Sequence, residues 1–98
     1  MPARNADQPS PAPVKVTVLT QPSCTLCDRA GQVLYRLASE YSISAITLDA
    51  RAPEAAALAE RGESPFAPAI FLDGEPFSYG RLSERKLRRE LDRRGARR

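Results

Sequence analysis

Cys24 and Cys27 are the two cysteines of this 98-residue chain, in the segment Cys24-Thr25-Leu26-Cys27. Two sulfurs at that spacing suit thiol–disulfide exchange. One thiolate attacks a disulfide, a mixed disulfide forms, and a second thiol within reach resolves it. The pair closes so short a loop that it constrains the unfolded chain little, so a structural staple is a poor explanation. Histidine is absent, which excludes Ser-His-Asp and Cys-His catalysis and any His-ligated zinc within one chain. A structural zinc takes four ligands, and this chain offers two sulfurs. An iron–sulfur or zinc module is the alternative reading, with Cys24 residues shared across a homodimer. A non-catalytic adaptor with idle thiols is another.

The exchange chemistry needs one sulfur to be ionised at neutral pH, although a free thiol titrates near 8.5. The surrounding sequence provides for that. Val14 to Thr20 alternates and is rich in β-branched residues, so it reads as a strand. Gln21-Pro22-Ser23 breaks it, and Ser23 is the expected N-cap of a helix from Cys24 to Ser42. Cys27, Ala30, Leu34, Leu37 and Tyr41 recur at three- and four-residue steps and form its apolar face. Unpaired amide groups and the macrodipole at the start of that helix favour a negative sulfur. Cys24 is therefore the expected attacking thiolate, exposed. Cys27, one turn deeper on the same face, is the expected resolving thiol. No Lys or Arg lies between Ser23 and Asp28, so the helix end must supply most of the activation, and Asp28 opposes it.

Further along, Ile43 to Leu48 reads as a second strand. Pro53 opens a helix that runs to Arg61 and stops at Gly62. Glu63 to Ala67 reads as a loop and Pro68 to Leu72 as a buried strand. Asp73-Gly74 is a hairpin turn signal, and Glu75 to Tyr79 returns as a fourth strand, with Pro76 marking an edge or a late start. Ser83 caps a last helix carrying Leu87 and Leu91. The order β-α-β-α-β-β-α implies an α/β fold: a four-stranded mixed sheet with three helices on its faces.

Residues 1–13 hold four of the nine prolines and read as a disordered arm. One domain spans 14–92, followed by a basic tail, 93–98, read as a solvated helix face and frayed end. From Arg81 on there are nine basic and three acidic residues, whereas Met1 to Gly80 holds six basic and nine acidic. No aromatic residues interleave with the basic run, so nucleic acid is not an expected partner. No stretch approaches the roughly 18–20 apolar residues of a membrane span, and residues 1–13 lack the apolar centre of a secretory signal. A cytoplasmic monomer without a tightly bound cofactor is expected.

Together these elements resemble the thioredoxin fold and, within it, the glutaredoxins, from about Val14 to Leu91. The family's Thr-Lys-Pro-x-Cys-x-x-Cys segment corresponds to Thr20-Gln21-Pro22-Ser23-Cys24-Thr25-Leu26-Cys27. Its Thr-Val-Pro, with a cis proline, corresponds to Phe66-Ala67-Pro68. The resemblance implies a cis Pro68 and an Ala67 backbone that pairs with an extended substrate across from Cys24. It also implies substrate contacts at Gln21, Thr25, Leu26, Gly80, Arg81 and Ser83. The departures bear on the substrate. Gln21 replaces a lysine, and Tyr79-Gly80-Arg81-Leu82-Ser83 replaces the Gly-Gly-x-x-Asp that holds the amino end of glutathione. Each lost charge-assisted bond costs on the order of 1.5–3 kcal/mol, so two such losses weaken binding more than tenfold. Arg81 and Arg85 are placed to grip a carboxylate instead. The expected partner is a protein disulfide or a low-molecular-weight thiol, either glutathione or another.

Overall fold

The computed structural model describes residues 12–61 and 67–98. Gly62 as a helix stop, the loop residues 63–66 with Phe66, and most of the N-terminal arm lie outside the described residues. Four strands make one sheet in the order β2-β1-β3-β4: β1 Val14–Thr20, β2 Ile43–Asp49, β3 Ala69–Leu72 and β4 Glu75–Tyr79. β1 runs parallel to β2 and antiparallel to β3, and β3 runs antiparallel to β4. The sheet is mixed, as the element order implies, and Pro76 lies on an edge strand.

β1 is central, and both its faces are covered. Val14, Val16 and Val18 turn to one side, where α1 (Thr25–Leu37) contributes Ala30, Leu34 and Leu37, and α3 (Glu84–Arg93) contributes Leu87 and Leu91. Leu19 turns to the other side and packs with Ala55, Ala69 and Phe71 beside a short 3-10 turn, Pro53–Ala55, that leads into α2, Ala56–Arg61. The period-two strand pattern and the 3.6-residue helix pattern meet in this packing.

Asp73 and Gly74 both have positive φ, 50° and 85°, as a two-residue hairpin turn between β3 and β4 requires. Asp73 also clasps the fold. Its Oδ1 accepts from the Lys15 N–H at 2.9 Å, and its Oδ2 meets Arg94 at 3.0 Å. Across the helices, Glu84 binds Arg36 of α1 at 2.6 Å and Arg88 of α3 at 3.1 Å, while Arg88 reaches Glu40 at 2.7 Å. The Arg36 hydrogen bond holds the Glu84 carboxyl below its ordinary range.

Two expectations are corrected. The first helix ends at Leu37, not at Ser42, because Tyr41 forms a β-bridge with Arg97 and its ring is fully buried. The chain end does not fray. Ala96 is buried in the main core, its carbonyl accepts from the Ser42 N–H at 2.7 Å, and the Arg98 N–H donates to the Glu40 carbonyl at 2.9 Å. The Arg97 guanidinium lies 4.9 Å above the Tyr41 ring and donates to its hydroxyl at 2.9 Å, and that hydroxyl donates to Asp92. Burial, helped by the Asp92 hydrogen bond, raises the Tyr41 phenol.

Candidate active site

The site is built where β1 hands over to α1. Pro22 and Ser23 turn the chain, and Ser23 adopts a left-handed φ of 56°. That turn makes Cys24, not Ser23, the N-cap. Cys24 is extended (φ −108°, ψ 101°), and its Sγ accepts a hydrogen bond from the Cys27 N–H at 3.1 Å. Its carbonyl accepts from the Asp28 N–H at 3.1 Å, the first bond of the helix. The Cys24 sulfur is thus itself the helix cap. An acceptor at this position gains from ionisation, because it satisfies an orphan amide and meets the positive end of the macrodipole.

Cys24 and Cys27 are joined in a disulfide, with their Cα atoms 5.2 Å apart. Cys24 is half-buried, whereas Cys27 is only 8% exposed and belongs to the buried face of α1. Among the described residues no third Cys, His, Asp or Glu gathers near them in a metal-binding group.

An open cleft of about 950 Å³ lies beside the pair, lined by Thr20, Gln21 and Ser23 where β1 leads into α1, by Asp28, Gly31, Gln32, Tyr35 and Arg36 of α1, and by Thr47 of β2. Gln21 is therefore brought to the cysteines. Thr25 and Leu26 follow Cys24 in the chain but line none of this cleft. At the same end of the sheet, Asp49 is opposite Thr20. Arg51 binds Asp49 through Nε at 3.0 Å and Nη2 at 2.8 Å and holds that carboxyl down to about 2, so the charge is neutralised beside the site.

The remaining expected contacts form a separate linked segment. The Ala67–Pro68 peptide is cis, as the resemblance implies. β3 pairs Ala69 with Leu19, which sets Pro68 at the end of the sheet where β1 leads to Cys24. The Gly80 N–H donates to the Pro68 carbonyl at 2.8 Å, so Gly80 is fastened to it. Arg81 is exposed. The Ser83 hydroxyl is engaged as the N-cap of α3, accepting from the Lys86 N–H at 3.2 Å. None of Ala67, Pro68, Gly80, Arg81 or Ser83 lines the cleft with Gln21. The sequence reading missed Gly31, Gln32, Tyr35, Arg36 and Thr47. The helix residues among them follow Cys24 and Cys27 at steps of four, so the signal was present in the spacing.

The glutaredoxin family model matches residues 16–77. The chain belongs to the glutaredoxin family. The uncharacterized protein Rv0508 of Mycobacterium tuberculosis is 31% identical over 83 residues, covering 81% of this chain and 84% of that protein. The uncharacterized protein Mb0520 of Mycobacterium bovis matches to the same extent, 31% over 83 residues with 81% and 84% covered. Among solved structures, a mutant thioredoxin from Halobacterium salinarum is similar in fold, with a TM-score of 0.61, 21% identity, and 84% of this chain and 74% of that chain covered. This glutaredoxin-family chain thus has the thioredoxin-like α/β fold and carries its cysteine pair as a disulfide at the start of α1.

Proposed function

We propose that this glutaredoxin-family protein is a thiol–disulfide oxidoreductase that reduces protein or low-molecular-weight disulfides in a reducing, cytoplasmic compartment. The observation that carries the reading is the Cys24 sulfur acting as helix cap, 3.1 Å from the Cys27 amide. In the reduced protein, Cys24 is the nucleophile. Its thiolate attacks one sulfur of the substrate disulfide, a Cys24–substrate bond forms, and the other substrate sulfur leaves as a thiolate that takes a proton from water. Cys27 then loses its proton and attacks Cys24 Sγ. The Cys24–Cys27 disulfide forms, and the second substrate sulfur leaves as a thiol. Two electrons pass to the substrate, and a low-molecular-weight or protein dithiol returns them.

Gln21, Thr25 and Leu26 flank the attacking sulfur. Ala67 and Pro68 offer their backbone to an extended substrate at the sheet end, and Gly80, Arg81 and Ser83 form the far rim of the substrate site. Gln21 and Ser83 lack the charges that grip glutathione in the resembled family, which favours a protein disulfide or another small thiol. Cys27→Ser should trap mixed disulfides visible as mass adducts, and Cys24→Ser should abolish reduction. Turnover retained in Cys24→Ser would refute the assignment. Robust turnover on micromolar glutathione would refute the substrate preference.

A further inference from the structure

The two edges of the sheet are unlike. β4 begins with Glu75, carries Pro76, and pairs with β3 through a register shift at Ile70/Phe71. Charges, prolines and bulges of this kind discourage a further strand from pairing. β2 has no proline and no charge from Ile43 to Leu48, and Ser44 to Thr47 are exposed. Among the described residues β2 pairs with β1 alone.

The ladder fixes which backbone groups point outward. The Val14 N–H donates to the Ser42 carbonyl at 3.0 Å, and the Ala50 N–H donates to the Thr20 carbonyl at 2.7 Å. Backbone groups alternate sides along a strand, so the even-numbered residues of β2 bond to β1. The N–H and C=O groups of Ala45 and Thr47 therefore face the open edge. Thr47 also lines the cleft that holds Cys24 and Cys27. The open edge and the reactive sulfur border one continuous cleft. Its helical wall leaves room: nothing lies within 4 Å of a Cβ built on Gly31, and Tyr35 is 85% exposed.

We propose that an extended segment of a protein substrate docks by adding a strand to the free edge of β2, which lays the substrate disulfide against Cys24 Sγ. This inference rests on the disulfide chemistry proposed above and names its substrate class. Continuity with the cysteine cleft is what selects a substrate segment over other occupants. Charge refines the choice. Arg36 is paired with Glu84, whereas Asp28 forms no ion pair among the described residues, so a segment carrying a basic residue fits. Reach agrees as well. Asp49, opposite Thr20, ends β2 two residues after Thr47. A substrate cysteine roughly three residues beyond the paired segment, at about 3.3 Å per residue, therefore arrives at the site end of the sheet. The chemical step is unchanged: the Cys24–substrate bond forms, the substrate disulfide breaks, and the leaving sulfur takes a proton from water.

The test uses the full chain with Cys27→Ser as parent, so that the adduct persists. Two added variants address the edge. Ala45→Pro removes an outward N–H that β1 does not use, and Ala45→Lys places a charge on the edge without altering the backbone. The probes are peptides joining a Lys-Val-Thr-Val-Thr segment to a cysteine three residues away, in both chain orders. In each, the cysteine is disulfide-bonded to thionitrobenzoate. N-acetylcysteine bonded to the same thiol is the strandless control. Release of the coloured thiol should run at least tenfold faster for one of the peptides than for the control. Both variants should erase that ratio and leave the control rate within twofold. A ratio near one in the parent, or a ratio that neither variant changes, would overturn the proposal. A parent that sediments as a dimer and becomes a monomer with Ala45→Pro also overturns it, because a second copy then holds the edge. If neither disulfide reacts, the redox reading has failed, and docking is read separately by fluorescence anisotropy of the serine form of the peptide. Binding abolished by Ala45→Pro upholds the surface, and no binding refutes it.

Discussion

The Cys24 side chain has two roles that substitution separates. It is the sulfur assigned to attack, and it is the cap that satisfies the Cys27 amide. Cys24→Ser removes the sulfur but keeps an oxygen in position to accept that N–H. Cys24→Ala removes both. Losing an N-cap to alanine costs about 1 kcal/mol, and about 0.5–2 kcal/mol across helices. In a domain of this size, 1 kcal/mol moves Tm by roughly 4–8 °C. Neither variant forms the disulfide, so thermal melts under reducing conditions compare the two folds directly. The serine variant should melt higher by about that amount, and both should be inactive. A pH series adds a second readout. In Cys27→Ser, Cys24 is the sole thiol, and an amide that bonds its ionised form lowers its folded pKa below the unfolded value near 8.5. That stabilisation is complete above the unfolded pKa and is lost as pH falls through the folded pKa. The double variant Cys24→Ser with Cys27→Ser should lack this dependence. If alanine and serine melt alike, the side chain at position 24 caps nothing, and the reasoning that the helix end ionises Cys24 falls with it.

Glu90 is held down to about 2 by hydrogen bonds from Arg93 and Arg94. Its contribution is present above its unfolded pKa near 4.5 and is lost as pH falls towards 2, so Glu90→Gln should flatten stability across that window in acid titrations followed by circular dichroism. Gly31 and Gly80 both have open space around a built Cβ, but only Gly80 has a positive φ, 68°. Gly31→Ala should therefore raise stability by about 0.5–1 kcal/mol and Gly80→Ala lower it by about 1–2 kcal/mol in urea titrations; the same sign for both would contradict the backbone reasoning. Ala96 is 1% exposed within the main core. Ala96→Asp buries a carboxylate there and should cost on the order of 3 kcal/mol, checked by the same titration.

Much of the fold was legible because its signals are local. β1 announces itself by β-branched alternation, the hairpin by Asp73-Gly74, and α3 by Ser83, whose hydroxyl does cap it. The greater burial of Cys27 on the inner face of α1 followed from the helical period, whereas Cys24, expected to be exposed within the helix, is the half-buried cap before it. What escaped depends on contacts distant in sequence or on a residue in an unusual role. Ser23 looked like the cap by residue type, but the turn after Pro22 gave it a left-handed backbone and passed the role to a sulfur. Tyr41 fits the helical period of α1, yet it leaves the helix to pair with Arg97, a partner 56 residues away. The basic end reads as solvated by composition, because arginine count says nothing of the alanine between them that fills the core. Gly31 and Tyr35 lie on the cysteine stripe, but only the exposed β2 beside them turns that stripe into a wall of a cleft.

β1 lies at the centre of the sheet and comes first among its strands. Its partners arrive late: Val14 meets Ile43, and Val16 meets Leu72. Both ladders must close long loops before any hydrogen bond repays the lost chain entropy. Such a topology folds more slowly than a helical bundle of equal length, at rates typical of mixed α/β domains. The helices and the β3–β4 hairpin need only local contacts, whereas β1 gains its partners only when those loops have closed.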